Sequence, residues 1–369
     1  MRTNLNKNEN ISHLLNNRKK EALKSKAIFK FGVITLSIVL VACSGGSSDE
    51  AGCPVIEDRK INVVATTPMI GEFVNQVGGD NINLTVIMPP EADPHTYEPA
   101  PQDAGTIADA DLVFYTGLKY EPAAVVKLLE SSACSLDVLA EVGENVYPIE
   151  FKEGGHDDHG DHGEEGHDDH DDEEGHEDEE GHDDHDGHEG HGHGAYDPHF
   201  WFDPNRVAYA AEYIEGKLVE FDPSNASSYE EAGSAYTNEL KGLIGQVSDL
   251  ISTVPSQNRK LITTHESLGY LEAKFGLEVL STIIPSLDSA NEISPAQLVD
   301  VIDVIEDNNV KVIFIESEAP SVYAETIVSE TGIKAVEGLW VETLKEGQSY
   351  PDFLISAVEL IVENLRNTD

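Results

Sequence analysis

Residues 227–253 read SSYEEAGSAYTNELKGLIGQVSDLIST, a stretch without proline and longer than an ordinary globular helix. We read it as one long helix, although Gly233, Gly242 and Gly245 each cost about 1 kcal/mol against alanine in a helix interior. What flanks it decides the fold. On its N-terminal side, short apolar runs at 61–66, 82–88, 112–115 and 136–139 read as strands, with helices at 69–77 and 121–132 between them and another at 206–220. On its C-terminal side, strands resume at 261–263, 277–280, 310–315 and 333–336, and helices follow at 297–306, 323–329 and 350–366. Strand alternating with helix on both sides predicts the α/β class, with mostly parallel sheets in two lobes and the long helix between them.

The start of the chain carries a different signal. Arg2, Lys7, Arg18, Lys19, Lys20, Lys24, Lys26 and Lys30 precede an apolar run at 31–42, which ends at Cys43. The run is too short to span a bilayer as a helix, and with its basic leader it reads as a secretion signal. Leu40-Val41-Ala42-Cys43 resembles the bacterial lipobox, which implies cleavage before Cys43 and a lipid on that cysteine. Residues 1–42 are therefore expected to be a signal peptide and 43–58 a linker. Over three hundred residues follow, enough for two domains with cores of their own. Cys53 and Cys134 are the only other cysteines, and an exported protein can join such a pair as a disulfide.

The formal net charge of −47 repels nucleic acid and anionic membrane surfaces and points to cations as partners. Much of it lies between His156 and His193, where the chain is almost wholly His, Asp, Glu and Gly. Such a segment cannot bury enough surface to offset its ordering entropy, so residues 153–195 are expected to form a disordered loop. Its histidines are His156, His159, His162, His167, His170, His176, His182, His185, His188, His191 and His193. With carboxylates in many of the gaps they suit an auxiliary, low-affinity metal collector.

Outside the leader and that loop only three histidines remain, and each is expected in a loop at the end of a strand or before a helix, where open α/β sheets bind ligands. His95 lies in Asp93-Pro94-His95-Thr96-Tyr97-Glu98-Pro99, His199 in Asp197-Pro198-His199-Phe200-Trp201-Phe202-Asp203-Pro204, and His265 follows the strand that begins at Leu261. In both Asp-Pro-His contexts the proline stiffens the turn and the aspartate can orient the imidazole. Glu342, after the last strand, is the candidate fourth ligand, with water as the alternative.

These two segments, with Ala108-Asp109-Ala110-Asp111-Leu112-Val113-Phe114-Tyr115-Thr116-Gly117-Leu118, resemble the substrate-binding proteins of zinc and manganese ABC importers, the ZnuA-like family. The resemblance implies two (β/α)4 lobes joined by one rigid helix, with the metal in the cleft between them. It places the N-terminal lobe at 59–222, the connecting helix at 223–255 and the C-terminal lobe at 256–369. It also implies metal ligation by His95, His199, His265 and Glu342, a membrane permease with its cytoplasmic ATPase as partners, and a monomeric lipoprotein in the periplasm or on the cell surface. A rigid connector implies small lobe shifts on release of the ion.

Three imidazoles and one carboxylate suit Zn²⁺ better than Mn²⁺, which prefers harder oxygen donors. Manganese members of the family typically have a carboxylate where this chain has His265. Other classes find less support. His265-Glu266-Ser267-Leu268-Gly269 opens like a zinc-protease motif but has Gly269 where the second histidine belongs, and no nucleophile elbow, phosphate loop or dinucleotide fingerprint is present. A metallohydrolase, and an adhesin or metal buffer without a transporter, remain as alternatives.

Overall fold

The computed structural model describes residues 53, 56, 59–151, 196–318 and 321–366. Residues 1–42, Cys43 and the eleven loop histidines from His156 to His193 lie outside the described residues.

The strands β1 (Ile61–Ala65), β2 (Ile82–Val86), β3 (Leu112–Tyr115) and β4 (Leu139–Glu141) form a parallel sheet in the order β2-β1-β3-β4. Helices α1 (Pro68–Gly78), α2 (Pro101–Ala108) and α3 (Ala123–Ser132) connect them. After α4 (Pro204–Phe221) and α5 (Ala226–Ser252) a second parallel sheet repeats the order as β6-β5-β7-β8. Its strands are β5 (Lys260–His265), β6 (Glu278–Ile284), β7 (Val312–Glu316) and β8 (Lys334–Leu339), with helices α6 (Gly269–Phe275), α7 (Pro295–Asp307), α8 (Ala324–Thr331) and α9 (Tyr350–Leu365). The α/β class, the paired parallel sheets and the long linking helix are as the sequence implies.

The α5 helix runs unbroken through its three glycines. Tyr229, Gly233, Tyr236, Leu240, Leu243, Val247 and Ile251 are its buried residues, and their spacing of three and four draws one apolar stripe. At Gly233 a Cβ would stand 2.2 Å from Oε2 of Glu215 on α4, so a larger residue there would make that flexible side chain shift. Around Gly242 and Gly245 a Cβ would meet nothing, and burial of the opposite face outweighs their propensity cost.

Alternation along the strands divides the core. Val63, Ala65, Leu112 and Phe114 of the first sheet and Leu261 and Phe314 of the second belong to one continuous apolar cluster, together with Phe73 of α1, Leu240 of α5 and Phe353 of α9. Val64 and Val113 turn the other way, onto Ile107 and Leu129 of α2 and α3, and Ile262 and Ile313 onto Ile305 and Ile327 of α7 and α8. Cys53 and Cys134 are disulfide-bonded, which ties the segment ahead of β1 to the end of α3. No helix among the described residues is long and apolar enough to cross a membrane.

Several local expectations shift. Residues 136–139 are mostly a tight 3-10 turn at Leu136–Val138, and the strand follows it. The helix expected from residue 121 begins at Ala123, because Pro122 steers the residue before it away from helical geometry. Helices α2 and α6 went unread; both are short, and Gly105 and Gly269 weaken their pattern.

Candidate metal centre

The C-terminal ends of both sheets meet at one place. His95 follows β2 on a short turn, Pro94–Thr96, whose cap is Asp93. His265 is the last residue of β5, Glu342 follows β8, and His199 precedes the turn that leads into α4. One ligand atom from each of the four lies within 4.8 Å of those of the others. The Nε2 atoms of His265, His199 and His95 stand 2.6, 3.3 and 3.4 Å from Oε1 of Glu342. His199, His265 and Glu342 are fully buried. Nε2 of His95 and of His265 make no hydrogen bond although both are buried. Three imidazole nitrogens converging on one carboxylate oxygen are a donor set that suits a divalent cation.

Carboxylates hold the imidazoles from behind. Asp197 Oδ1 lies 2.8 Å from Nδ1 of His199 and accepts its backbone N–H at 2.9 Å, so this aspartate orients the ring as expected. Asp93 does otherwise. It accepts the backbone N–H of His95 at 3.0 Å and the hydroxyl of Ser289 at 3.2 Å, so it stabilises the turn and ties it to the second sheet's side of the cleft. His265 Nδ1 is 2.5 Å from Glu316 at the end of β7. Glu316 also accepts the hydroxyl of Ser267 at 3.2 Å. Glu316 went unread because it is one more residue of an apolar strand, and only the parallel β5–β7 pairing brings it to the ring.

The loop of Glu342 is fastened on two sides. Oε1 of Glu318 accepts the backbone N–H groups of Val341, Glu342 and Thr343 at 3.1, 3.0 and 3.3 Å. Trp201 Nε1 donates to the carbonyl of Val341 at 2.8 Å. Burial, and then the neighbouring Glu342 charge, raise the Glu318 carboxyl to about 8. Burial alone would raise Glu342 too, but His199, His95 and His265 hold it well below the usual carboxylate range. Burial disfavours a charged His199, yet Glu342 and Asp197 outweigh that and raise it to about 9. His265 is raised well above its ordinary value by Glu316 and Glu342, again against burial.

Tyr120, after β3, also went unread. Its ring stands edge-on to His95 at 5.0 Å, and its hydroxyl donates to Oε2 of Glu342 at 2.9 Å. Beside it Glu121 accepts the Thr66 hydroxyl and the backbone N–H groups of Thr116 and Gly117, which fixes the turn that carries Tyr120. A cavity of about 660 Å³, lined by Lys119, Val126, Lys127 and Asp288 among others, borders the centre at His95 and Tyr120.

Residues 63–364 match the model of the family described as "Zinc-uptake complex component A periplasmic". The chain belongs to this family. Its members are substrate-binding components of importers, not enzymes. Among curated proteins it is similar to a manganese ABC transporter substrate-binding lipoprotein, PsaA of Streptococcus mitis, 27% identical over 89% of this chain and 95% of that one. It is also similar to the high-affinity zinc uptake system protein ZnuA of Bacillus subtilis (strain 168), 29% identical over 90% of this chain and 96% of the relative. The periplasmic zinc binding protein TroA from Treponema pallidum has the same fold, with a TM-score of 0.65 at 21% identity over 83% of this chain and 99% of that one.

Proposed function

We propose that this protein captures Zn²⁺ outside the cytoplasm and delivers it to an ABC importer, acting as a monomer held at the membrane by a lipid on Cys43. The observation that carries this reading is the convergence of three imidazole Nε2 atoms and one Glu342 oxygen in a buried cleft at the ends of two parallel sheets. Neutral nitrogen donors with one carboxylate favour zinc over manganese, which prefers oxygen-rich, higher-coordinate surroundings. Relatives named for manganese and for zinc stand at similar distance, and the donor set is what favours zinc. Native mass spectrometry of protein purified without added metal is expected to find one zinc that survives dialysis, together with labile ions. Tight occupancy by manganese would overturn the assignment.

The loop between His156 and His193 is proposed to supply those labile sites. A His/Asp/Glu/Gly segment offers donors without an apolar core to preorganise them, so its sites are proposed to be weaker than the cleft, and its closeness in sequence to His199 would raise the effective concentration of collected ions. Deleting residues 155–194 is expected to abolish weak binding in a calorimetric titration and leave one tight zinc, whereas His95→Ala weakens the tight site and spares the weak ones. Loss of the tight site on deleting the loop would mean that the principal site lies there.

A further inference from the structure

The two oxygens of the Glu342 carboxylate do different things. Oε1 faces the three imidazoles, at 2.6, 3.3 and 3.4 Å from their Nε2 atoms. Oε2 accepts the hydroxyl of Tyr120 at 2.9 Å. That hydroxyl is also 2.9 Å from the Glu342 carbonyl, and its single proton favours the carboxylate because a charge-assisted bond is the stronger. We propose that Tyr120 is a selectivity-determining positioning residue, which holds Glu342 to one-oxygen coordination and so restricts the cleft to four donors.

The surroundings leave Glu342 little freedom to escape this. Its backbone N–H and those of Val341 and Thr343 are gathered on Glu318, and the Val341 carbonyl is held by Trp201, so the loop is anchored and only rotation of the carboxylate itself, which the Tyr120 hydroxyl opposes, can bring the second oxygen round. Tyr120 and Trp201 stand edge-on to each other at 5.2 Å and wall the imidazoles, Tyr120 against His95 at 5.0 Å and Trp201 against His199 at 5.5 Å. Three nitrogens and one oxygen make the four-coordinate, tetrahedral set that zinc accepts readily. Manganese favours six-coordinate, oxygen-rich sites and loses most from such a limit. Phenylalanine at position 120 would keep the ring contacts and remove only the hydroxyl. It would free Oε2 to chelate and raise the coordination number to five.

The inference rests on the proposed ligand set, and the test separates the two. Cobalt(II) replaces zinc as a spectroscopic probe, and zinc and manganese affinities are measured by competition with a chelating dye in wild type, Tyr120→Phe and Glu342→Ala. The wild type is expected to give intense tetrahedral cobalt bands. Tyr120→Phe should give the weaker bands of a five-coordinate ion, with the zinc-over-manganese preference falling at least about tenfold, the scale of one hydrogen bond to a charged group. Metal-free melting of Tyr120→Phe, followed by circular dichroism, checks that the variant is folded. A folded Tyr120→Phe with the wild-type cobalt spectrum and wild-type preference overturns the role of Tyr120 alone, provided Glu342→Ala weakens binding. If Glu342→Ala binds as wild type does, the ligand set itself is wrong and the inference falls with it.

Discussion

Replacing His265 with alanine is expected to lower zinc affinity by roughly 10²- to 10³-fold, since binding of ~10–16 kcal/mol over four ligands is ~2.5–4 kcal/mol each, at 1.4 kcal/mol per decade. His265 sits at the end of β5 with no exposed surface, so alanine there leaves a buried gap in the donor set. Glu316→Gln keeps the imidazole but weakens its orientation, and it should cost the smaller ~10- to 100-fold typical of groups behind a metal ligand. Competition against a chelator of known affinity orders the variants. Wild-type affinity in His265→Ala would remove this residue from the centre.

Zinc binding is expected to release protons well above the range where a free histidine titrates. From the residue types alone affinity would fall as pH drops near ~6.5, the ordinary imidazole value. The buried carboxylates move that window upward, because His199 is raised to about 9 and His265 is raised as well. Around pH ~8 the metal-free protein therefore still holds protons that zinc must displace, and affinity should rise about tenfold per pH unit for each proton released. Calorimetry in buffers of different ionisation enthalpy reads the number directly, and a heat independent of buffer would contradict it. Stability of the metal-free protein has the opposite slope. A raised His199 stabilises the fold fully below ~6.5, and that contribution is lost as pH rises through about 9. Glu342, held low, adds stability that is present above its ordinary ~4.3 and is lost in stronger acid.

The architecture was legible because it rests on periodicity: the alternating apolar runs and one proline-free helix need no tertiary information. The three histidines were legible because so few remain outside the leader and the acidic loop, and because proline marks two of their turns. Tyr120, Glu316 and Glu318 were not, since each acts through a partner brought near only by folding. Tyr120 and Glu342 are 222 positions apart, and His265 and Glu316 are 51 apart. Asp93 shows the converse limit. Its motif repeats that of Asp197, yet it serves a backbone turn and Ser289 instead of a ring.

The apolar cluster that runs unbroken from Val63 through Leu240 and Phe353 to Phe314 bears on how such a protein is used. Prising the two sheets apart would wet part of it, and exposing even ~400 Å² of apolar surface costs about 10 kcal/mol. Full and empty molecules are therefore expected to keep nearly the same outline. On that expectation, a docking surface on the importer would have little shape by which to turn the empty ones away, and they would occupy it in proportion to their number. Beyond some abundance, making more of this protein would then slow delivery: when cargo is scarce, unladen carriers would queue at the gate that the laden ones need.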